Sequence, residues 1–261
     1  MTLPIDKTPI WSATVLTLFP EMFPGPLGQS LAGRALKEGL WSLDCVDIRD
    51  YATDKHRTVD DTPFGGGPGM VMRPDVVMHA LDAATSDWDA EKIAAVPKIY
   101  FSPRGRRLDQ AKARDLAAHD HVLMVCGRYE GLDQRVIDHA GLEEISIGDV
   151  VLSGGELPAI MTMDAVVRLL PGVMGNAEAH QNDSFENGLL EHALYTQPRD
   201  WQGMQVPEIL TSGDHGKIAE WRQTESEAIT KARRPDLWAE YMKASGKSIA
   251  KNAAGDDEND A

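Results

Sequence analysis

The first patterned stretch is WSATVLTLFP (11–20), an apolar, β-branched run that stops at Pro20 and predicts a buried strand. WSLDCVDIRD (41–50) alternates as a strand does, and KIYFSP (98–103) and HVLMVCG (121–127) are short apolar runs of strand length. EEISIGDVVL (143–152) is predicted to be extended. Helical spacing fills the intervals. It occupies the second half of PEMFPGPLGQSLAGRALKEG (20–39), which stops at Gly39. It returns in RPDVVMHALDAA (73–84), with Pro74 at the first helical position, and in LDQAKARDLAAH (108–119) and LDQRVIDHA (132–140). LPAIMTMDAVVRLLPG (157–172) is apolar nearly all round, which predicts a buried helix; its two charges are Asp164 and Arg168. Strands alternating with helices predict an α/β domain with a mostly parallel sheet. Continuous apolar runs, rather than strict alternation, fit strands covered on both faces.

Beyond Pro171 the texture changes. Residues 172–188 are polar and rich in Gly and Asn, and from about residue 189 tryptophans appear at 201, 221 and 238. Helices are predicted over 213–231 and 235–244. The expected organisation is an α/β domain over 1–171, a flexible linker over 172–185, a small helical domain over 186–245 and a disordered acidic tail over 246–261.

Composition narrows the setting. Hydrophobic residues make up 42% of 261, enough for a sizeable core, and no run of about 18 apolar residues predicts a membrane span. The N-terminus lacks the basic-then-apolar pattern of a signal peptide. Cys45 and Cys126 are the only cysteines, so a disulfide framework is not expected and a reducing cytoplasm fits. The net charge of −15 argues against nucleic-acid binding when taken as a whole. It is unevenly placed, however. The tail 251–261 carries one lysine against four acids, while arginines cluster in SPRGRRL (102–108), KARRP (231–235) and DKHRT (54–58). A local basic patch is not governed by the global charge.

Three glycine loops carry the candidate chemistry. FGGGPGM (64–70) suits backbone approach to a planar or anionic ligand, or else makes a tight surface turn. CGRYEGLDQRV (126–136) joins a strand end to a helix, where parallel sheets place ligands; an ordinary β–α turn with a surface ion pair is the plainer alternative. IGDVVLSGGELPA (147–159) is the third. None has the phosphate-loop lysine, and no dinucleotide spacing is present, so a nucleoside triphosphate and NAD are poor candidates for a shared pocket. An adenosine-bearing neutral or cationic ligand remains. The histidines show no metal-site spacing, and His56, His180, His192 and His215 read as surface groups. Arg168, alone on an apolar helix, needs an anionic partner or an opening. Asp183 in QNDSF is either functional or the N-cap of a helix after the linker.

Taken in order, FPEMF (19–23), HRTVDD (56–61), GGGPGM (65–70), CGRYEG (126–131) and IGDVVLSGGELPA (147–159) closely resemble the bacterial tRNA (guanine-37-N1)-methyltransferase family of the SPOUT superfamily, from about residue 10 to about 240. The resemblance implies a SPOUT-type parallel sheet with a deep trefoil knot and a small C-terminal helical domain. It also implies an obligate homodimer with its active site at the subunit interface, S-adenosylmethionine as methyl donor, and a requirement for Mg²⁺. The implied reaction methylates N1 of guanosine 37 in tRNA, 3′ to the anticodon.

Carried onto this sequence, the donor pocket would be lined by Tyr100, Phe101, Ser102, Pro103, Gly127, Ile147, Gly148, Asp149, Val150, Val151, Leu152, Gly154 and Gly155, with Glu130 near the methionine end. Asp183 matches the family's general base, and Arg168 its partner at the guanine; His56, Arg57, Asp60 and Gly69 match positions near the target base. These residue types suit the chemistry. A carboxylate takes the N1 proton, and an arginine stabilises charge growing on O6. Residues 179 and 180 are Ala and His where many relatives have a serine nearby, and Gln197 stands where arginine is common. Two other readings compete: a non-catalytic RNA-binding dimer that senses the adenosyl ligand, and an oxidoreductase, disfavoured by the loop spacing.

Overall fold

The computed structural model describes residues 8–175 and 183–246. The chain divides into two compact units, Met1–Ala177 and Glu178–Ala261. The first is built on a five-stranded sheet in the order β2-β1-β6-β5-β7. Its strands are β1 (Trp11–Thr17), β2 (Trp41–Asp47), β5 (Lys98–Arg107), β6 (His121–Val125) and β7 (Glu143–Ser146). Every pairing among them is parallel. A two-stranded antiparallel ladder, β3 (Asp60–Asp61) with β4 (Val71–Met72), closes the first glycine loop.

The helices of this unit are α1 (Ser30–Lys37), α2 (Pro74–Ala84), α3 (Ala90–Ala95), α4 (Gln110–Ala117), α5 (Gln134–Ala140) and α6 (Glu156–Val167). They cover both faces of the sheet, as parallel strands require. Alternate strand residues separate into two cores. Trp11, Ala13 and Val15 of β1, with Val122 and Met124 of β6, meet Leu116 of α4 and Ala159, Met163 and Val166 of α6. Leu16, Leu123 and Val125 turn the other way, onto Val77 and Leu81 of α2 and Val136 and Ile137 of α5. Each fully buried aliphatic side chain contributes about 1.5–3 kcal/mol. Two buried indoles tie sheet to helix: Trp11 Nε1 donates to the Leu116 carbonyl at 3.1 Å and Trp41 Nε1 to that of Ala32 at 2.9 Å.

Three departures from the sequence reading are physical. β7 ends at Ser146 instead of running to Leu152, because the chain turns out of the sheet at Gly148, whose φ of +135° excludes side-chain-bearing residues. β5 runs past Pro103 to Arg107, but through an irregularity: Phe101 and Arg106 both register with Ile145, so residues 102–105 bulge out. α6 is not buried all round. Leu157 and Met161, four residues apart on one face, are 52% and 50% exposed.

The second unit holds α7 (His215–Arg233) and α8 (Pro235–Ala244), packed on each other, and a hairpin of β8 (Asp200–Trp201) and β9 (Met204–Gln205). The Leu190 amide donates to Thr230 Oγ1 at 2.8 Å, anchoring the segment that leads into α7. Trp221 on α7 meets His192 and Tyr195, with ring centroids 6.1 and 6.3 Å away. Residues 176–182 of the expected 172–185 linker, Ala179 and His180 among them, and residues 247–261 of the expected tail lie outside the described residues.

Candidate active site

Adjacent parallel strands β6, β5 and β7 end on the same edge, and their C-terminal loops enclose a cleft of about 780 Å³, its mouth included. That edge is where open α/β sheets bind ligands. Tyr100, Phe101, Ser102 and Pro103 come from the end of β5 and its bulge. Residues 127–131 follow β6, and Ile147, Gly148, Val150, Val151, Leu152, Gly154 and Gly155 follow β7. Asp149 does not line the cleft. Its carboxylate stands in solvent just past the turn at Gly148, 4.0 Å from Arg107.

Arg128, Tyr129, Gly131, Ser153 and Pro158, all within the second and third glycine loops, also line it, and so do Ile145 and Ser146, which lie outside those loops. Ser146 carried a readable signal, a small hydroxyl residue at the strand end two places before a glycine. Its Oγ accepts from the Gly148 amide at 3.1 Å and donates to the Gly148 carbonyl at 3.0 Å, pinning the turn. Ile145, an apolar strand residue like its neighbours, carried none.

Gly127 serves the wall of the cleft. A Cβ there would lie 2.8 Å from Cε2 of Tyr100, whose ring packs beneath the loop and whose hydroxyl accepts from the Leu132 amide at 3.3 Å. Burial raises the pKa of that phenol, so it stays neutral. Among the described lining residues the one cation is Arg128, and it faces the Glu156 carboxylate at 3.0 Å. The cleft therefore presents backbone, apolar surface and small hydroxyls, and no uncompensated cation for a phosphate.

The three glycine loops do not all share this cleft. Gly65–Gly69 stays off it; Phe64 and Gly65 line a neighbouring hollow with Asp61, Arg73 and Arg135. The first loop reaches the second through Gly69, where a side chain would collide with the Glu130 carboxylate, and through the Glu130 amide, which donates to the Met70 carbonyl at 2.9 Å. His56 and Arg57 sit on an exposed turn organised by Asp54, which accepts from the amides of His56 and Thr58 and from the Thr58 hydroxyl. Those bonds hold the Asp54 carboxyl below its ordinary pKa. Arg57 pairs with Asp50 and donates to the Arg49 carbonyl. Asp60 lies on β3, opposite Met72.

Arg168 caps α6 at its C-terminal end, half-buried. In the second unit, Asp183 lies in a turn, not at a helix start: its carbonyl accepts from the Glu186 amide at 3.2 Å, and the next helical residues begin at Glu208. Helix capping therefore does not explain this aspartate. It lines a hollow with Asn187, His192, Arg222 and Gln223. The expected basic patches are partly neutralised locally: Arg104 by Glu144 at 2.9 Å, Arg106 by Asp109 at 3.5 Å, and Arg234 by Asp236 at 2.5 Å.

Residues 12–240 match the family model described as tRNA (Guanine-1)-methyltransferase TrmD. The chain belongs to the TrmD family. Curated relatives named tRNA (guanine-N(1)-)-methyltransferase include one from Rhodopseudomonas palustris (strain HaA2), 59% identical over 94% of this chain and 92% of its own. Another, from Rhodospirillum rubrum, is 60% identical over 89% and 94%, and a third, from Bradyrhizobium diazoefficiens, 61% over 88% and 89%. The cleft of this TrmD-family chain falls wholly within the matched residues. No described helix is long and apolar enough to cross a membrane.

Proposed function

We propose that this tRNA (guanine-N1)-methyltransferase, as its family membership makes it, binds S-adenosylmethionine in the cleft at the ends of β5, β6 and β7 and methylates N1 of guanosine 37. The observation that carries the donor assignment is the lining itself: backbone-rich loops whose single cation is already matched by Glu156. An adenosine attached to a sulfonium asks for backbone groups and apolar walls, whereas a nucleotide phosphate asks for cations left free to meet it. When bound, the donor supplies an activated methyl on a good leaving group, so the chain's task is alignment and proton removal.

In this reading the backbone of Ile147 to Leu152 holds the adenine edge, Tyr100 to Pro103 and Gly127 form the opposite wall, and Glu130 stands at the methionine end. Asp183 takes the proton from guanine N1, and Arg168 stabilises charge on O6. His56, Arg57, Asp60 and Gly69 receive the target base and its neighbour, unstacked from the anticodon loop. A second copy of the chain completes the site in this reading. The exposed apolar side chains Leu157, Met161 and Val151 support a homodimer through this region, since apolar surface of this kind marks interfaces. A trefoil knot is proposed for the segments that cross at 126–128 and 153–155, where the Gly155 amide donates to the Gly127 carbonyl at 2.9 Å. Mg²⁺ finds no cluster of three His, Cys, Asp or Glu side chains among the described residues, and no step here passes through it.

The test is Asp183→Ala. Single-turnover methyl transfer to a tRNA carrying G37 is expected to slow by about 10²–10⁴-fold, the usual worth of a general base, while donor binding measured by calorimetry is unchanged. Undiminished transfer overturns the base assignment.

A further inference from the structure

Glu156 is the first residue of α6, and it is only 1% exposed. A buried carboxylate is retained at a cost unless it is fully engaged. Oε1 accepts from the Thr17 hydroxyl at 2.9 Å and from Arg128 Nε at 3.1 Å. Oε2 lies 3.0 Å from the same Nε, yet receives no hydrogen bond among the described residues. Thr17 in turn accepts from the Phe19 amide at 3.0 Å. Arg128 is held on every side. Its guanidinium stacks 4.3 Å above the Phe19 ring and donates to the Ser153 carbonyl at 3.3 Å, while its backbone amide meets Met72 Sδ at 3.2 Å.

These contacts gather three separate stretches of chain: the end of β1, the loop after β6, and the loop that enters α6. They also explain the paired glycines better than ligand contact does. A Cβ on Gly154 would strike Arg128 Nε and Glu156 Oε2, and one on Gly155 would lie 2.8 Å from the Cys126 backbone. Gly154 is bare because the ion pair runs beneath it; Gly155 is bare because two backbones cross there.

We propose that Glu156 is a positioning residue for donor binding. It acts through Arg128 and Thr17 to lock the 126–131 loop against the 153–155 loop, and so fixes the shape of the cleft they share. This rests on the donor reading of that cleft. It predicts that the lock is a matter of hydrogen-bond geometry. Glu156→Gln keeps an acceptor for Thr17 and Arg128, whereas Glu156→Ala removes it and Glu156→Asp is one methylene too short to reach both.

The experiment pairs two measurements on the full chain: calorimetric titration with S-adenosylmethionine, and hydrogen–deuterium exchange without ligand. Glu156→Ala and Glu156→Asp are expected to weaken donor binding tenfold or more and to speed exchange in 126–131 and 150–155 selectively. Glu156→Gln, which keeps one acceptor but loses the charge facing Arg128, should fall between the parent and Glu156→Ala on both. Arg128→Ala/Glu156→Ala should bind donor no worse than the weaker single variant, because the two act as one unit. If Glu156→Ala does not fold, Glu156→Asp carries the same two readouts. The proposal is overturned by unchanged loop exchange, or by exchange that rises evenly through β1 and β6, which is plain destabilisation. A parent chain that binds no donor refutes the pocket assignment, while loop exchange still decides the lock.

Discussion

His121 begins β6 with its ring half-buried, hydrogen-bonded through Nε2 to Thr14 Oγ1 at 2.9 Å and set edge-on to Trp88 at 4.8 Å. Burial, followed by the nearby Lys92 charge, lowers its pKa below the ordinary 6.5, against the opposing pull of Asp44 and Asp87. The unfolded chain therefore takes up this proton at higher pH than the fold does. Stability from the neutral ring is complete above 6.5 and falls as pH drops through 6.5, levelling below the folded value. Melting temperature should decline from pH 7 towards 5.5, and His121→Gln should flatten that decline; a slope that survives the substitution shows that other groups cause it. Gly127→Ala tests a different residue-scale point. Its Cβ would displace the Tyr100 ring, so a stability loss of about 1–3 kcal/mol is expected in denaturant melts, together with weakened donor binding. Glycines 127, 154 and 155 were legible as residues in need of space, but their occupants were not. Each accommodates a part of the protein, Tyr100, Arg128 or the Cys126 backbone, drawn from a distant stretch of sequence.

Among the elements, the strands of the large sheet and its long helices were legible, because runs of apolar residues and 3.6-residue spacing survive in the local sequence. α3, six residues long, and the two-residue strands of the β8–β9 hairpin were missed, since such short pieces carry too few periods to register. The order β2-β1-β6-β5-β7 was not legible either: parallel neighbours are joined through crossovers, so chain order says little about sheet order. The bulge at 102–105 is the element that opens the cleft, and it depends on Gly105, where a side chain would strike the Glu144 backbone. Arg104 braces the same bulge through Glu144 and Gln134. Gly105→Ala should lower stability by about 1–3 kcal/mol and reduce donor affinity. Arg104→Ala, which removes a pair that is well exposed on the arginine side, should cost under about 1 kcal/mol. Equal losses in calorimetric melts would show that the exposed pair, rather than the backbone approach, sets the bulge.

At the scale of the whole molecule, the acidic balance did not forbid a tRNA substrate. The charge of −15 is a sum over 261 residues, whereas a transferase meets its RNA through local surface and a few placed groups. Ordered motifs in the sequence identified the family, and the match over residues 12–240 establishes it. The proposed reaction is narrower than the family name: the methyl from S-adenosylmethionine goes to one nitrogen of one nucleotide. The direct measurement is transfer of labelled methyl from that donor to two tRNA transcripts that differ only at position 37, followed by digestion and nucleoside mass spectrometry. Stoichiometric 1-methylguanosine is expected in the G37 transcript and none in the A37 transcript. Equal labelling of both, or a methyl on any atom other than guanine N1, overturns the assignment of guanosine 37 N1 as the acceptor.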